Sequence, residues 1–123
     1  MKNAINWFEI PVTDFNRAKK FYSTLMGNDL TDYEMPDGQY AVFPYDPENN
    51  GISGGIIKMK DLIPSQNGVT IYLNGGEDLN GQLAKVEPAG GTVIIPKTAI
   101  GENGFFAQFI DTEGNRIALH SMS

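Results

Sequence analysis

The sequence predicts an α+β fold built of two β-α-β-β-β modules. Two observations carry this. Phe8-Glu9-Ile10-Pro11-Val12 leads into Asp14-Phe15-Asn16 and an amphipathic stretch that stops at Met26-Gly27. Thr70-Ile71-Tyr72-Leu73-Asn74 leads into Asp78-Leu79-Asn80 and a second such stretch that stops at Ala89-Gly90, with Asp78 standing about 64 positions after Asp14. Each half then continues as short β-prone runs separated by Gly, Pro and Asn. A repeat of this kind sets the architecture before any residue is given a role. Each module is too small to bury its own sheet face, so residues 1–123 are expected to pack as one domain. Module 1 is placed at about 4–60, a linker at 61–67 and module 2 at about 68–121.

In the first module, Ala4 to Val12 reads as a strand, with Phe8, Ile10 and Val12 alternating with Glu9 and Pro11. Thr13-Asp14 supplies a helix N-cap, because a short side-chain oxygen accepts from the free N–H groups of a first turn. Phe15, Ala18, Tyr22 and Leu25, widened by Phe21, form the apolar stripe of a helix. Gly27 tolerates the positive φ that ends it. Strands follow near 28–35, 39–45 and 53–59, with a turn at Pro36-Asp37-Gly38 and a longer loop at Asp46–Gly51.

Asp61 to Gly68, with Pro64 and Ser65, reads as the linker. In the second module Val69, Ile71 and Leu73 form one face of a strand, and Thr70, Tyr72 and Asn74 the other. A helix is expected from about Asp78 to Ala89, burying Leu79, Leu83 and Val86 and weakened by Gly81 and Pro88. Strands near 92–95, 104–110 and 115–121 complete the module. Asp111-Thr112-Glu113-Gly114-Asn115 turns between the last two, with Gly114-Asn115 suited to a left-handed position.

The 123 residues carry a formal charge of −6, and their nine Lys and Arg residues are scattered except for Arg17-Lys19-Lys20 on the first helix. That argues against a nucleic-acid partner, whose surface would be basic, and lends nothing to an anionic membrane partner. There is no cysteine, which removes disulfides, thiolate catalysis and Cys-ligated metals together. No stretch suits a signal peptide or a bilayer span, so a cytoplasmic protein is expected.

Glu9-Ile10-Pro11-Val12-Thr13-Asp14 running into Arg17-Ala18-Lys19-Lys20-Phe21-Tyr22 resembles the opening of the vicinal oxygen chelate superfamily. Asp111-Thr112-Glu113-Gly114-Asn115-Arg116-Ile117 resembles its closing turn and final strand. The resemblance covers essentially the whole chain. That superfamily holds glyoxalase I, bleomycin-resistance proteins, extradiol dioxygenases, methylmalonyl-CoA epimerase and fosfomycin-resistance transferases. It implies two cups forming a cleft, within one chain or across a homodimer. It implies no single chemistry, because one scaffold hosts many.

The superfamily's metal enzymes place His or Glu ligands on four strands. The first slot falls on Trp7, and the second lies between Gly51 and Met59, where no carboxylate or imidazole stands. The third falls on Thr70 and the fourth on Ala118. A one- or two-residue register slip would recruit Glu9 or His120, but not three ligands, and a transition metal needs at least three. No metal or other cofactor is therefore expected.

Alternation turns Trp7, Glu9 and Pro11 toward the cleft, with Thr70, Tyr72 and Asn74 from the second module and Ala118 and His120 from the last strand. Phe105, Phe106 and Gln108 lie on the neighbouring strand, their facing open. Trp7, Thr70, Asn74 and Gln108 are the candidate ligand-binding residues; Glu9, His120 and Tyr72 are the candidate catalytic ones. A carboxylate on a central strand needs a compensating partner, for which Arg116 and His120 are candidates. Paired in that way Glu9 is structural; the functional alternatives are a general base among apolar neighbours or a binder of a cationic ligand, and histidine suits proton shuttling. An apolar wall with a few convergent polar groups is the make-up of a small-molecule site.

Three functions compete. One is a metal-free binding protein of the bleomycin-resistance kind, sequestering an aromatic or cationic compound. Another is a metal-free lyase or isomerase using Glu9, His120 and Tyr72 next to a carbonyl. The third is a metal-dependent glyoxalase-like lyase or dioxygenase, which the empty slots disfavour.

Overall fold

The computed structural model describes residues 2–123. The first compact unit ends at Pro64 and the second begins at Ser65. The first holds β1 (Trp7–Pro11), α1 (Phe15–Met26), β2 (Thr31–Tyr33), β3 (Gly38–Val42) and β4 (Ser53–Met59). The second holds β5 (Ile71–Asn74), α2 (Asn80–Val86), β6 (Thr92–Ala99), β7 (Phe105–Ile110) and β8 (Arg116–Ser121). The repeat read in the sequence is thus a repeat of structure. The sheet orders are β1-β4-β3-β2 and β5-β8-β7-β6. In each, the first pair is parallel and the others antiparallel, so the fold is α+β with two four-stranded mixed sheets.

Helix α1 forms where the apolar stripe and both caps coincide. Asp14 Oδ1 accepts from the Arg17 N–H at 3.1 Å, and Gly27, at φ 76°, ends the helix by donating to the Ser23 and Thr24 carbonyls. The buried stripe is Phe15, Ala18, Phe21, Tyr22 and Leu25. It packs on Ile10, Ala41, Phe43 and Ile56 of the first sheet, all buried. Tyr22 meets Phe43 edge-on at 5.2 Å between ring centroids, and Phe43 meets Phe8 at 5.4 Å. Each such large apolar side chain stabilises by roughly 1.5–3 kcal/mol on full burial.

Helix α2 is shorter than its pattern suggests, ending at Val86 rather than Ala89. Pro88 has no N–H to give the Ala84 carbonyl, although Glu87 before it keeps helical backbone angles. Two side chains serve its start: the Leu79 N–H donates to Ser121 Oγ of β8 at 3.0 Å, and the Asn80 N–H to Asp78 Oδ1 of the preceding loop at 2.9 Å. Leu79 and Val86 are buried, whereas Leu83 is only half-buried.

Several strand limits differ from expectation. β1 and β5 start at Trp7 and Ile71 rather than Ala4 and Val69, and β2 shrinks to three residues. β6 runs on to Ala99, past Pro96, because register shifts on either side of Ile95 let the chain pass the missing donor. In the β7–β8 turn Gly114 alone takes positive φ, 93°, and Asn115 does not. Asn115 instead donates through its amide to Asp111 Oδ2 at 3.1 Å, and its Oδ1 accepts from the Ser65 N–H at 3.0 Å. No described helix is long and apolar enough to cross a membrane.

Candidate functional site

On β1 the alternation holds. Ile10 is buried on the helix side, and Trp7 and Glu9 are exposed on the other. The sheet register extends that second face. Trp7 lies beside Ser53, Glu9 beside Gly55, and Gly55 beside Val42. Tyr40 lies beside Ile57 on one side and Tyr33 on the other. Thr31 and Val42 complete a pair in the next row.

Gly54 and Gly55 explain how large rings fit here. A Cβ on Gly54 would stand 2.5 Å from Phe8 Cγ, on the helix side. A Cβ on Gly55 would overlap Tyr40 Cε1 and stand 2.7 Å from its Cζ. The missing side chain lets the Tyr40 ring lean across β4. Its hydroxyl accepts from the Trp7 indole N–H at 2.7 Å, and it also hydrogen-bonds the Glu9 carboxylate. A carboxylate accepts only, so Tyr40 donates to Glu9. Glu9 is exposed on an edge strand of its sheet rather than on a central one, and its hydrogen-bond partner on that sheet is Tyr40.

The electrostatics follow from that chain of donors. Burial raises the Tyr40 phenol above its ordinary value. The Trp7 N–H, which favours the phenolate, pulls the other way. The hydrogen bond to Glu9 and its negative charge push the phenol up again. Tyr40 is therefore held protonated, with its proton directed at Glu9.

Beside this triad the first unit has a cavity of about 780 Å³. Trp7, Tyr33, Tyr40 and Tyr45 wall it, with Met35, Val42, Pro44 and Pro47, and Glu34 and Thr31 supply polar groups. Trp7 and Tyr45 stand nearly perpendicular, 84° between planes and 6.1 Å between centroids. The size and lining are those of small-molecule sites, mostly apolar with few polar groups.

In the second unit, Tyr72, Ala118 and Gln108 stand side by side across three strands, and Asn74, His120 and Phe106 form the next row. The register settles the facing left open: Phe106 and Gln108 share the face of Ala118 and His120, and Phe105 is on the opposite one. Tyr72 is exposed, while Gln108 and Ala118 are buried. Asn74 serves its own turn, Oδ1 accepting from the Gly76 N–H at 2.8 Å. His120 Nε2 is 2.6 Å from the Asn103 carbonyl, a contact that places the ring proton on that nitrogen. Thr70 Oγ1 accepts from Arg116 Nη2 at 3.2 Å.

The four slots that the resemblance assigns to a metal do not fit one. Trp7 offers only an N–H, and it is spent on Tyr40. The β4 position beside Glu9 is Gly55, with Tyr40 where a ligand side chain would start. Thr70 carries Arg116, and Ala118 has no donor atom. Among the described residues no group of three or more His, Cys, Asp or Glu could hold a metal ion.

Of the candidates read from sequence, Trp7 and Glu9 meet in one site. Tyr33, Tyr40 and Tyr45 were missed. A signal existed for two of them: Tyr40 and Val42 alternate with Ala41 and Phe43, and Tyr33 faces Tyr40 across the Pro36-Asp37 turn. Tyr45 lies beyond β3, where alternation says nothing.

Over residues 4–119 the sequence matches the Glyoxalase/Bleomycin resistance protein/Dioxygenase superfamily. A Mycobacterium bovis protein named "Putative glyoxylase CFP32" is 30% identical over 117 residues, covering 93% of this chain and 44% of that protein. The chain thus spans less than half the length of this relative. Glyoxalase I from Zea mays matches with a TM-score of 0.69 at 19% identity, over 98% of this chain and 48% of that one. A glyoxalase/bleomycin resistance protein from Streptomyces sp. CB03234 matches with a TM-score of 0.66 at 24% identity, over 95% of this chain and 100% of that one. At these identities the structural likeness speaks for the fold alone.

Proposed function

We propose that this chain, which belongs to the glyoxalase/bleomycin resistance protein/dioxygenase superfamily, binds and sequesters a small organic molecule without the metal of the superfamily's enzymes. The observation that supports this most is the aromatic cavity of about 780 Å³ walled by Trp7, Tyr33, Tyr40 and Tyr45. Ring side chains bring large contact area with little rotamer entropy to lose, which suits reversible capture of a flat or compact ligand. A homodimer is part of this reading and rests on family resemblance.

Trp7 is the only tryptophan and stands in the cavity wall, so its emission reports occupancy. Native mass spectrometry of the protein as purified, followed by titration of retained compounds against Trp7 fluorescence, tests the reading. A metal-free species that carries a small organic adduct, released with a change in Trp7 emission, is the expected result. A stoichiometric tightly held metal would overturn it.

A second reading is metal-free proton transfer next to a carbonyl. It draws support from the protonated Tyr40 hydroxyl beside the Glu9 carboxylate, a proton donor next to an acceptor. It predicts that the protein exchanges a proton adjacent to the carbonyl of its ligand for solvent deuterium, and that Glu9→Gln abolishes the exchange. Absence of exchange in a ligand that binds leaves sequestration as the function.

A further inference from the structure

We propose that the cavity of the first unit selects an organic cation, an alkylated ammonium group, over neutral and anionic molecules of the same shape. This deepens the small-molecule reading and rests on it.

The argument begins with what lines the cavity. Its one charged side chain is Glu34, and no Lys, Arg or His is among its lining residues. Lys19 of α1 pairs with Asp32 at 2.7 Å. Asp32 lies beside Ala41, on the helix side of the sheet. An anion entering would leave water, meet a carboxylate and find no positive charge. Burial of an unpaired charge of that kind is strongly unfavourable.

The hydrogen-bond donors point the same way. The Trp7 indole N–H is spent on Tyr40 Oη, and the Tyr40 hydroxyl on Glu9. Two donors that would otherwise recognise a carbonyl or carboxylate are committed within the wall. What they leave toward the ligand is ring surface. Tyr40 also donates to an anion, and that polarises the phenol toward greater electron density in its ring.

Ring surface attracts cations. Trp and Tyr are the strongest aromatic partners for an ammonium group, through their negative faces. Trp7 and Tyr45, nearly perpendicular, make two adjoining walls of a box. Tyr33 and Tyr40, cross-strand neighbours, make another side. Fully alkylated, quaternary ammonium ions suit such a box because they have no N–H to satisfy and are weakly hydrated. Glu34 supplies the counter-charge at the wall. The protein's net charge of −6 raises the local concentration of cations in the same sense.

The test uses three probes of one shape: meta-hydroxyphenyltrimethylammonium, its neutral carbon isostere meta-tert-butylphenol, and the anion meta-tert-butylbenzoate. Binding is read from the single indole N–H resonance of Trp7 in nitrogen-edited NMR, with calorimetry for affinity. The cation should bind about tenfold more tightly than the neutral isostere, within the range of cation–π attraction at a partly desolvated site, and the anion should not bind. Tyr33→Leu keeps apolar bulk and removes the ring; Glu34→Gln removes the charge. Both residues are exposed, so folding is preserved. Each variant should lower the ratio of cation affinity to isostere affinity, whatever it does to the isostere itself.

Equal or tighter binding of the neutral isostere overturns the cation proposal and leaves the small-molecule reading standing. So does a cation preference that neither variant changes. If none of the three binds, but other neutral fragments shift the Trp7 resonance, the cation proposal again falls alone. Failure of every fragment to shift that resonance overturns both.

Discussion

The ring of Tyr40 occupies the space that a side chain at Gly55 would take. Gly55 sits on an inner strand of the first sheet, between Glu9 on β1 and Val42 on β3. Its emptiness is what allows a residue of β3 to reach a residue of β1 across β4. The Trp7–Tyr40 hydrogen bond of 2.7 Å depends on it.

Gly55→Ala should therefore destabilise the protein by about 1–3 kcal/mol, the usual cost of forcing a methyl into a packed site. It should also change Trp7 emission, because Tyr40 must leave the indole N–H. Urea denaturation followed by fluorescence measures both. In a Tyr40→Ala background the same substitution should cost less. A cycle of the four proteins that shows no coupling would separate Gly55 from Tyr40.

The Tyr40 phenol lies above its ordinary value of about 10, first through burial and then through Glu9, against the pull of Trp7. A group whose folded value is raised binds more protons in the folded than in the unfolded state. Its stabilisation is complete below the unfolded value and is lost as pH rises from there through the folded value. Stability should thus decline above about pH 10 and the Tyr40→Phe variant should decline less. Denaturant midpoints across alkaline pH decide it; parallel curves for the two proteins would contradict the assignment.

Two further variants should move that phenol in opposite directions. Trp7→Phe removes the donor that favours the phenolate, so Tyr40 should titrate higher. Glu9→Gln removes the charge that opposes it, so Tyr40 should titrate lower. NMR of ring-labelled tyrosine resolves Tyr40 from the other four. Glu9→Gln is also expected to weaken ligand binding with the fold intact. A loss of thermal stability alone would make Glu9 structural.

The β7–β8 turn is held by one buried carboxylate. Asp111 Oδ1 accepts from the Glu113 and Asn115 N–H groups at 2.8 and 2.9 Å, and Oδ2 accepts from the Asn115 amide at 3.1 Å. Asp111→Ala strands those donors, each a desolvation cost of about 1–3 kcal/mol where no water reaches. A markedly lower urea midpoint is the expected result. Gly114→Ala, at φ 93°, should cost a smaller amount, about 1 kcal/mol.

The parts of the site that were legible came from local rules. Trp7 and Glu9 were assigned to one face by alternation along five residues of β1. The partner of Glu9 was not legible, because Tyr40 is separated from it by a helix and two turns. Nothing local states that β3 pairs with β4 in the register that sets Tyr40 beside Ile57. On β4 the run Ser53-Gly54-Gly55 was read for the ligands it lacks. Its physical meaning is the room it makes: for Phe8 on one face and Tyr40 on the other. The reading of Asn74 and His120 as ligand-facing groups also met local competition, since a turn and a loop carbonyl engage them.

By itself the sequence determined the repeated β-α-β-β-β order, the capped first helix, its buried stripe and the Asp111–Asn115 turn. These follow from side-chain periodicity, caps and turn chemistry acting within a few residues. Only the tertiary structure decided that Trp7, Tyr33, Tyr40 and Tyr45 share one cavity and that Glu9 has a phenol for a partner. Those contacts join strands distant in the chain. Their geometry is set by cross-strand register and by the absence of a side chain at Gly55, neither of which any local window contains.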